Sequence, residues 1–351
     1  MSHSEAPTGA ISPSVVRGAG TPTSKTATRV FITGATGFVG GALARALAQG
    51  GCEVHVLARP TADRRPLEDL PILWHDGDLT ARNGLCAAVE EADWIIHAAG
   101  RLGQAGVPEE VYNQINAEGT RKLLAALPPG GKARVLHVST PGVLGRTGRE
   151  PATEEQPYAP DNPYERSKSA GERIALEFAH LGLQVVVARP GFIYGPGDHH
   201  VLKLFRAVRD GKFFYIDGGN SLCHPTHIHD VVDGLLGCLE LGQVGGVYHI
   251  TGPRPVIFRE LGETIAAALG VRPPWLNVPH WAAASGAAIL ETAGRLLGKT
   301  PPLSRTGVEF FSADRVFSWQ KAHRELGYTP SRDLASGVGA TVAWYRQHGW
   351  L

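Results

Sequence analysis

The strongest constraint on this chain is a short segment near its start. Arg29–Thr33 (RVFIT) is a strand-like run, and Phe38–Gln49 carries apolar residues at helical spacing and stops at Gly50-Gly51. The turn between them reads Gly34-Ala35-Thr36-Gly37, with Gly40 in the first helical turn. Glycines so placed let the backbone turn tightly and approach a ligand closely, while free N–H groups and the positive end of the helix dipole face a pyrophosphate. A purely structural strand-to-helix turn can need glycine as well. A second strand, residues 54–58, ends at the distance a dinucleotide fold requires and weighs the turn toward nucleotide binding. On this reading Gly34, Thr36, Gly37, Phe38, Val39 and Gly40 hold a dinucleotide.

The alternation continues. Residues 72–74, 94–98, 135–139 and 185–189 read as further strands, separated by helical stretches at about 82–91, 109–127 and 163–181. Apolar strands alternating with helices predict an α/β fold: a Rossmann-type, doubly wound parallel sheet covered on both faces. The core is expected over 29–190, with 226–250 returning to it. Residues 191–225 and 251–351 would form a smaller substrate-binding lobe over the sheet's carboxyl edge. Residues 1–28, rich in Ser, Thr, Pro and Gly, read as a disordered tail with no apolar secretory run.

Composition removes several function classes. The 351 residues carry 34 basic against 33 acidic side chains, without the basic excess of a nucleic-acid binder. Cys52, Cys86, Cys223 and Cys238 lie far apart with no C-x-x-C spacing, which argues against a disulfide framework or zinc site and for a reducing, cytoplasmic setting. The longest apolar stretch, residues 281–290, is too short for a transmembrane segment. It reads as a core or lid helix, with peripheral membrane contact as the alternative.

Two further stretches carry chemistry. The second strand ends in Ala58-Arg59-Pro60, with Arg64 and Arg65 close behind and no acid at the strand end. A guanidinium there pairs with a 2′-phosphate, which favours NADP(H) over NAD(H). In Asp161-Asn162-Pro163-Tyr164-Glu165-Arg166-Ser167-Lys168, Asp161 or Asn162 can cap a helix that begins at Pro163. Tyr164 and Lys168, four apart, then share a helix face. A phenol with an ordinary pKa near ~10 is a poor base at neutral pH, and an adjacent ammonium is expected to lower it. Ser139-Thr140 ends the fifth strand, where a hydroxyl can hold a substrate oxygen against the tyrosine. Asn116 reads equally as part of a proton path or as a satisfied core amide. His224, His227 and His229 read as packing and capping residues, with no metal expected, and His199 and His200 as part of a loop over the substrate.

Taken in order, these motifs resemble the extended short-chain dehydrogenases/reductases across residues 29–351. The matching residues are Thr33–Gly40, Asp78-Leu79, His97-Ala98-Ala99-Gly100, Ser139-Thr140, Tyr164 with Lys168, and Arg189-Pro190 running into Tyr194-Gly195-Pro196. The resemblance implies that Tyr164 is the general acid/base and that Lys168 tunes it and holds the nicotinamide ribose. It makes Thr140 the substrate-orienting hydroxyl and has Asp78 and Leu79 contact adenine. Ala98, Ala99, Gly100 and Pro190 would line the cofactor.

Sugar-nucleotide epimerases of that family usually carry Asn after the sixth strand, in R-Y-F-N, to contact the substrate diphosphate. This chain has Arg189-Pro190-Gly191-Phe192, similar to 3β-hydroxysteroid dehydrogenases and dihydroflavonol reductases. The resemblance therefore implies hydride transfer between a secondary alcohol and a ketone on a small hydrophobic substrate. Residues 279–302 are expected to form apolar walls around that ligand. A hopanoid-associated sugar-epimerase type of activity is the alternative, because Arg59-Pro60-Thr61 resembles that group too. A non-catalytic NADP(H) sensor is the second alternative. Many relatives form homodimers.

Overall fold

The computed structural model describes residues 27–351 except 82–84, 86, 129 and 298–302. Seven strands form one sheet: β1 (Arg29–Thr33), β2 (Glu53–Ala58), β3 (Ile72–Asp76), β4 (Trp94–His97), β5 (Arg134–Val138), β6 (Gln184–Pro190) and β7 (Val247–Ile250). Their order is β7-β6-β5-β4-β1-β2-β3 and every pair is parallel. The direction of winding reverses between β1 and β4, so a crevice opens at their carboxyl ends. The doubly wound sheet predicted from the alternation is therefore present, with β7 as a seventh strand inside the stretch expected to return to the core.

Each central strand is apolar on both sides because helices cover both faces. Val30 and Ile32 pack with Leu43 and Ala44 of α1 (Phe38–Gln49), and with Val231 and Leu235 of the helix Ile228–Leu241. Phe31, on the opposite face, shares a cluster with Leu123, Ile174 and Val185. All three β1 side chains are fully buried, and each contributes on the order of 1.5–3 kcal/mol of transfer free energy.

Two expected helices differ. Residues 109–127 form a helix of three parts: Glu109–Tyr112, a π-helical stretch Asn113–Glu118, and Gly119–Ala125. The wider π turn inserts one residue into the helical repeat, which periodicity of apolar positions does not reveal. Of the helix expected at 82–91, the described part forms only a 3-10 turn, Ala87–Val89. Leu85, Glu90 and Glu91 are described and lie outside any helix, while 82–84 and 86, like residues 1–26 of the expected tail, lie outside the described residues.

Beyond Pro190 a separate apolar cluster gathers Tyr194, Phe205, Val256, Phe258, Val338 and Tyr345. The helix His280–Leu297 was expected to wall an apolar ligand. Its buried Ala283 and Ala287 pack with Ile216 and Val308 in a small core of their own.

Gly34 sits at φ +82°, where an added Cβ would stand 2.5 Å from the Ala99 amide nitrogen. Gly34→Ala should therefore cost about 2–4 kcal/mol, combining left-handed strain with a backbone clash, and chemical denaturation would measure it.

Candidate active site

The crevice at the switch point is floored by a directed chain of hydrogen bonds. Thr120 donates its single hydroxyl proton to the Asn116 carbonyl at 2.7 Å. Its oxygen must then accept from His97 Nε2 at 2.9 Å, which leaves Nδ1 to accept from the Thr33 hydroxyl at 2.8 Å. His97 is thus the neutral Nε2–H tautomer. Burial, with the Lys168 charge nearby, holds its pKa down at about 3. This chain ties β1, β4 and the π-interrupted helix together beneath the crevice.

Above it lies the glycine turn. Gly37 precedes α1 and no side chain caps the helix, so the first-turn N–H groups of Phe38, Val39 and Gly40 face the crevice. A Cβ on Gly40 would fall 2.3 Å from the Gly34 carbonyl oxygen. The backbone is drawn in as a pyrophosphate cradle must be, and the residues present fit a dinucleotide. Ala99 donates to the Thr33 hydroxyl at 3.4 Å. An added Cβ on Gly100 would sit 3.9 Å from Lys168 Nζ, so the turn after β4 runs from the cradle to the lysine.

Helix α1 is answered across the sheet by Pro163–His180, the helix carrying the proposed acid–base pair. Asn162, rather than Asp161, is its N-cap: the Asn162 side-chain oxygen accepts from the Glu165 amide at 3.0 Å. Lys168 is buried and donates to the Val138 carbonyl at 2.7 Å, at the end of β5. Burial, opposed by the Glu172 carboxylate, lowers its pKa to about 8. Tyr164 is not lowered by its neighbours as expected. Loss of water around the hydroxyl and the Glu165 charge push its pKa well above the ordinary phenol value, and the Thr140 side chain pulls only part of the way back. The reason is that burial and the Glu165 carboxylate outweigh the Thr140 hydroxyl, while the Lys168 ammonium is engaged by the Val138 carbonyl.

Asn116 is a satisfied core amide. Its side-chain oxygen accepts from the Arg101 amide at 2.7 Å, and its nitrogen donates to the Arg101 carbonyl at 3.1 Å and the Ser167 hydroxyl at 2.9 Å. It thereby holds the loop after Gly100 against the helix of Tyr164, where Gly103 faces the Tyr164 ring.

The two adjacent hydroxyls separate cleanly. Ser139 is buried and donates to Glu172 Oε2 at 2.5 Å. Glu172 Oε1 also receives Arg189 Nη2 at 2.6 Å and the Tyr158 hydroxyl at 2.8 Å. Thr140 is the hydroxyl left at the crevice, and it accepts only from the Gly142 amide at 3.2 Å among the described residues. Glu172, Tyr158 and Arg189 were not read as site residues from the sequence. A signal existed for Glu172, which continues the Tyr164–Lys168 stripe by four more residues.

The remaining positions are mixed. Arg59 is exposed at the end of β2, and no carboxylate lies within ion-pair distance of it among the described residues, whereas Arg65 pairs with Asp63 at 2.7 Å and Arg64 with Asp76. Thr36 is exposed at the tip of the turn, and Pro190 is buried at the end of β6 beside Ile250. Asp78 accepts from the Thr80 amide and hydroxyl, both at 2.8 Å. The Leu79 side chain is in the core with Val89 and Ala117, because its turn folds under the sheet edge, so only its backbone is free to meet adenine. His224 bonds the Gly252 carbonyl at 2.9 Å, and His227 Nδ1 accepts from the His229 amide at 3.3 Å at the start of Ile228–Leu241. His199 stacks on Trp350, and Gly197 in the same loop faces Phe38.

A glycine cradle at a switch point, with a tyrosine, a lysine and a hydroxyl on the neighbouring elements, defines a nicotinamide-dinucleotide enzyme. Residues 30–251 match the NAD dependent epimerase/dehydratase family, to which this chain belongs. The chain is 32% identical over 322 residues to the 4-hydroxy-2-methyl-3-oxo-4-farnesyl-3,4-dihydroquinoline-1-oxide ketoreductase of Stigmatella aurantiaca, covering 89% of this chain and 95% of that one. It is 26% identical to a putative dihydroflavonol 4-reductase of Synechocystis, over 92% and 95% of the two chains. Among solved structures it is similar to the dTDP-glucose 4,6-dehydratase DesIV of Streptomyces venezuelae with NAD bound, at TM-score 0.76 and 28% identity, covering 92% and 98%. The resemblance seen in the motifs is thus a membership, and the protein is an enzyme of the oxidoreductase type.

Two measurements probe this site. Glu172→Ala leaves the Arg189 guanidinium buried without its carboxylate and should cost about 3–5 kcal/mol in urea unfolding. The Lys168 pKa is depressed in the folded chain, so between about pH 8 and 10.5 the unfolded lysine holds a proton that the native one has released. Stability should therefore gain from this group as pH rises through that window. Comparing the unfolding free energy of Lys168→Met with that of the wild type across the window isolates a contribution of roughly 3–3.5 kcal/mol.

Proposed function

We propose that the protein is an NADPH-dependent reductase of a ketone on a hydrophobic terpenoid-, steroid- or flavonoid-like substrate. The observation that carries the reading is the convergence on the crevice of Tyr164, half-buried and facing Gly103, the buried Lys168 one turn on in the same helix, and Thr140, a hydroxyl with no carboxylate partner among the described residues. NADPH, held in the crevice, supplies hydride to the carbonyl carbon. The Tyr164 hydroxyl gives its proton to the carbonyl oxygen as negative charge develops there. Thr140 donates to the same oxygen and fixes its distance from the phenol, an electrostatic contribution worth a few kcal/mol at such sites. Lys168 keeps a positive charge beneath the phenol, which stabilises the phenolate left behind.

The hydrophobic substrate is supported by Phe192. It stands where diphosphate-binding members carry Asn, and its ring packs edge-on to Phe310 with centroids 5.3 Å apart. The relative from Stigmatella aurantiaca is named for a 3-oxo, farnesyl-bearing substrate. NADPH over NADH is supported by Arg59, free to meet a 2′-phosphate. A cytoplasmic setting is supported by Cys52, Cys223 and Cys238, which are free thiols. The division into a nucleotide-binding core at 29–190 and a substrate lobe at 191–225 and 251–351 goes with this reading.

Purified enzyme should oxidise NADPH with 3-ketosteroids, dihydroflavonols or prenylated ketones and leave UDP- and dTDP-sugars unchanged. Tyr164→Phe should lower kcat by a factor on the order of 10²–10⁴ with NADPH affinity retained. Arg59→Ala should weaken NADPH binding about tenfold and leave NADH binding unaltered. Turnover of a sugar nucleotide without net NADPH oxidation would establish the epimerase/dehydratase activity instead.

A further inference from the structure

The helix His280–Leu297 is built inside out. Its inner face is made of small residues, Ala283 and Ala287, while Trp281, Ile289 and Leu290 are exposed. Trp281 and Ile289, 73% and 70% exposed, lie eight residues apart on one stripe, with Ser285 between them. The segment leading into the helix adds Trp275, 86% exposed, and the exposed Leu276. A surface helix that served only to cover the lobe would reverse this order, and scattered single exposed residues would not fall on one stripe.

Charge identifies the occupant. By sequence, residues 271–305 carry four cations, Arg272, Arg295, Lys299 and Arg305, against one carboxylate, Glu291, in a chain whose total is nearly balanced. The carboxylates that reach the helix's first turn from neighbouring elements are engaged, Asp217 by the His280 amide and Glu309 by Arg146 and His280. Glu291 is itself paired with Arg305, at 3.7 Å. Indole rings have an apolar body and an N–H donor, which suits them to the headgroup level of a bilayer, and cationic neighbours add attraction to anionic lipid. A second copy of the chain would bring the same cationic surplus against itself.

We propose that this face docks the enzyme on an anionic phospholipid surface. Trp275, Trp281 and Ile289 insert at the headgroup boundary, and the site is thereby placed where a hydrophobic ketone is dissolved. The docking rests on the substrate reading only in that last respect, since vesicle binding is measured without turnover.

The full chain is sedimented with vesicles of phosphatidylcholine alone and of phosphatidylcholine with phosphatidylglycerol in equal parts. The expected result is binding at least ~10-fold stronger to the anionic vesicles, falling as salt is raised, with a blue shift of tryptophan emission. The variant W275S/W281S/I289S should lose that binding and keep the wild-type urea midpoint. No binding to either vesicle, equal binding to both, or a wild-type dimer that the variant converts to monomer would overturn the proposal. If vesicles bind but no hydrophobic ketone is reduced, the docking stands and the substrate reading fails.

Discussion

The buried carboxylate of Glu172 holds the candidate active-site end of this fold in place. One side chain on the helix Pro163–His180 receives a hydroxyl from the end of β5, a guanidinium from β6 and the phenol of Tyr158. An ion pair taken out of water is weak evidence for stability by itself, because desolvation offsets the Coulomb attraction. Its value here is positional. With Ser139 and Arg189 both bound to one carboxylate, the register between the helix and two strands is set, and Lys168 and Tyr164, one and two turns earlier, come over the end of β5. Thr140 then faces the crevice because its neighbour is occupied.

Burial acts against the charged form of both principal groups. The phenol of Tyr164 is driven toward its neutral form and the ammonium of Lys168 toward losing its proton. Below about pH 8 the pair is therefore an acid beside a cation, the state suited to protonating an oxygen that gains charge. The neutral His97 tautomer beneath them keeps a third charge out of the floor while still orienting Thr33 and Thr120.

The relatives share the fold and differ in what they are named for: a prenylated quinoline ketone, a flavonoid and a nucleotide sugar. Shared fold leaves that choice open, because function belongs to the site a fold carries rather than to the fold itself. In this chain the lobe presents Phe192 and Phe310 at the sheet edge, and an outward apolar stripe on the helix His280–Leu297.

Much of the fold was legible in the sequence, for a physical reason: a parallel sheet buried on both faces needs continuous apolar strands, and a phosphate cradle needs glycine where the backbone turns back on itself. The turn at Gly34–Gly40 and the four-residue spacing of Tyr164 and Lys168 are local patterns of this kind. What only the tertiary structure decided depends on groups distant in sequence. The π turn that seats Asn116, the capture of Ser139 by Glu172 that leaves Thr140 free, and the rise rather than fall of the Tyr164 pKa all follow from burial and partners. Spacing along one chain does not encode which side chain will lose its water, and that loss set the chemistry of this site.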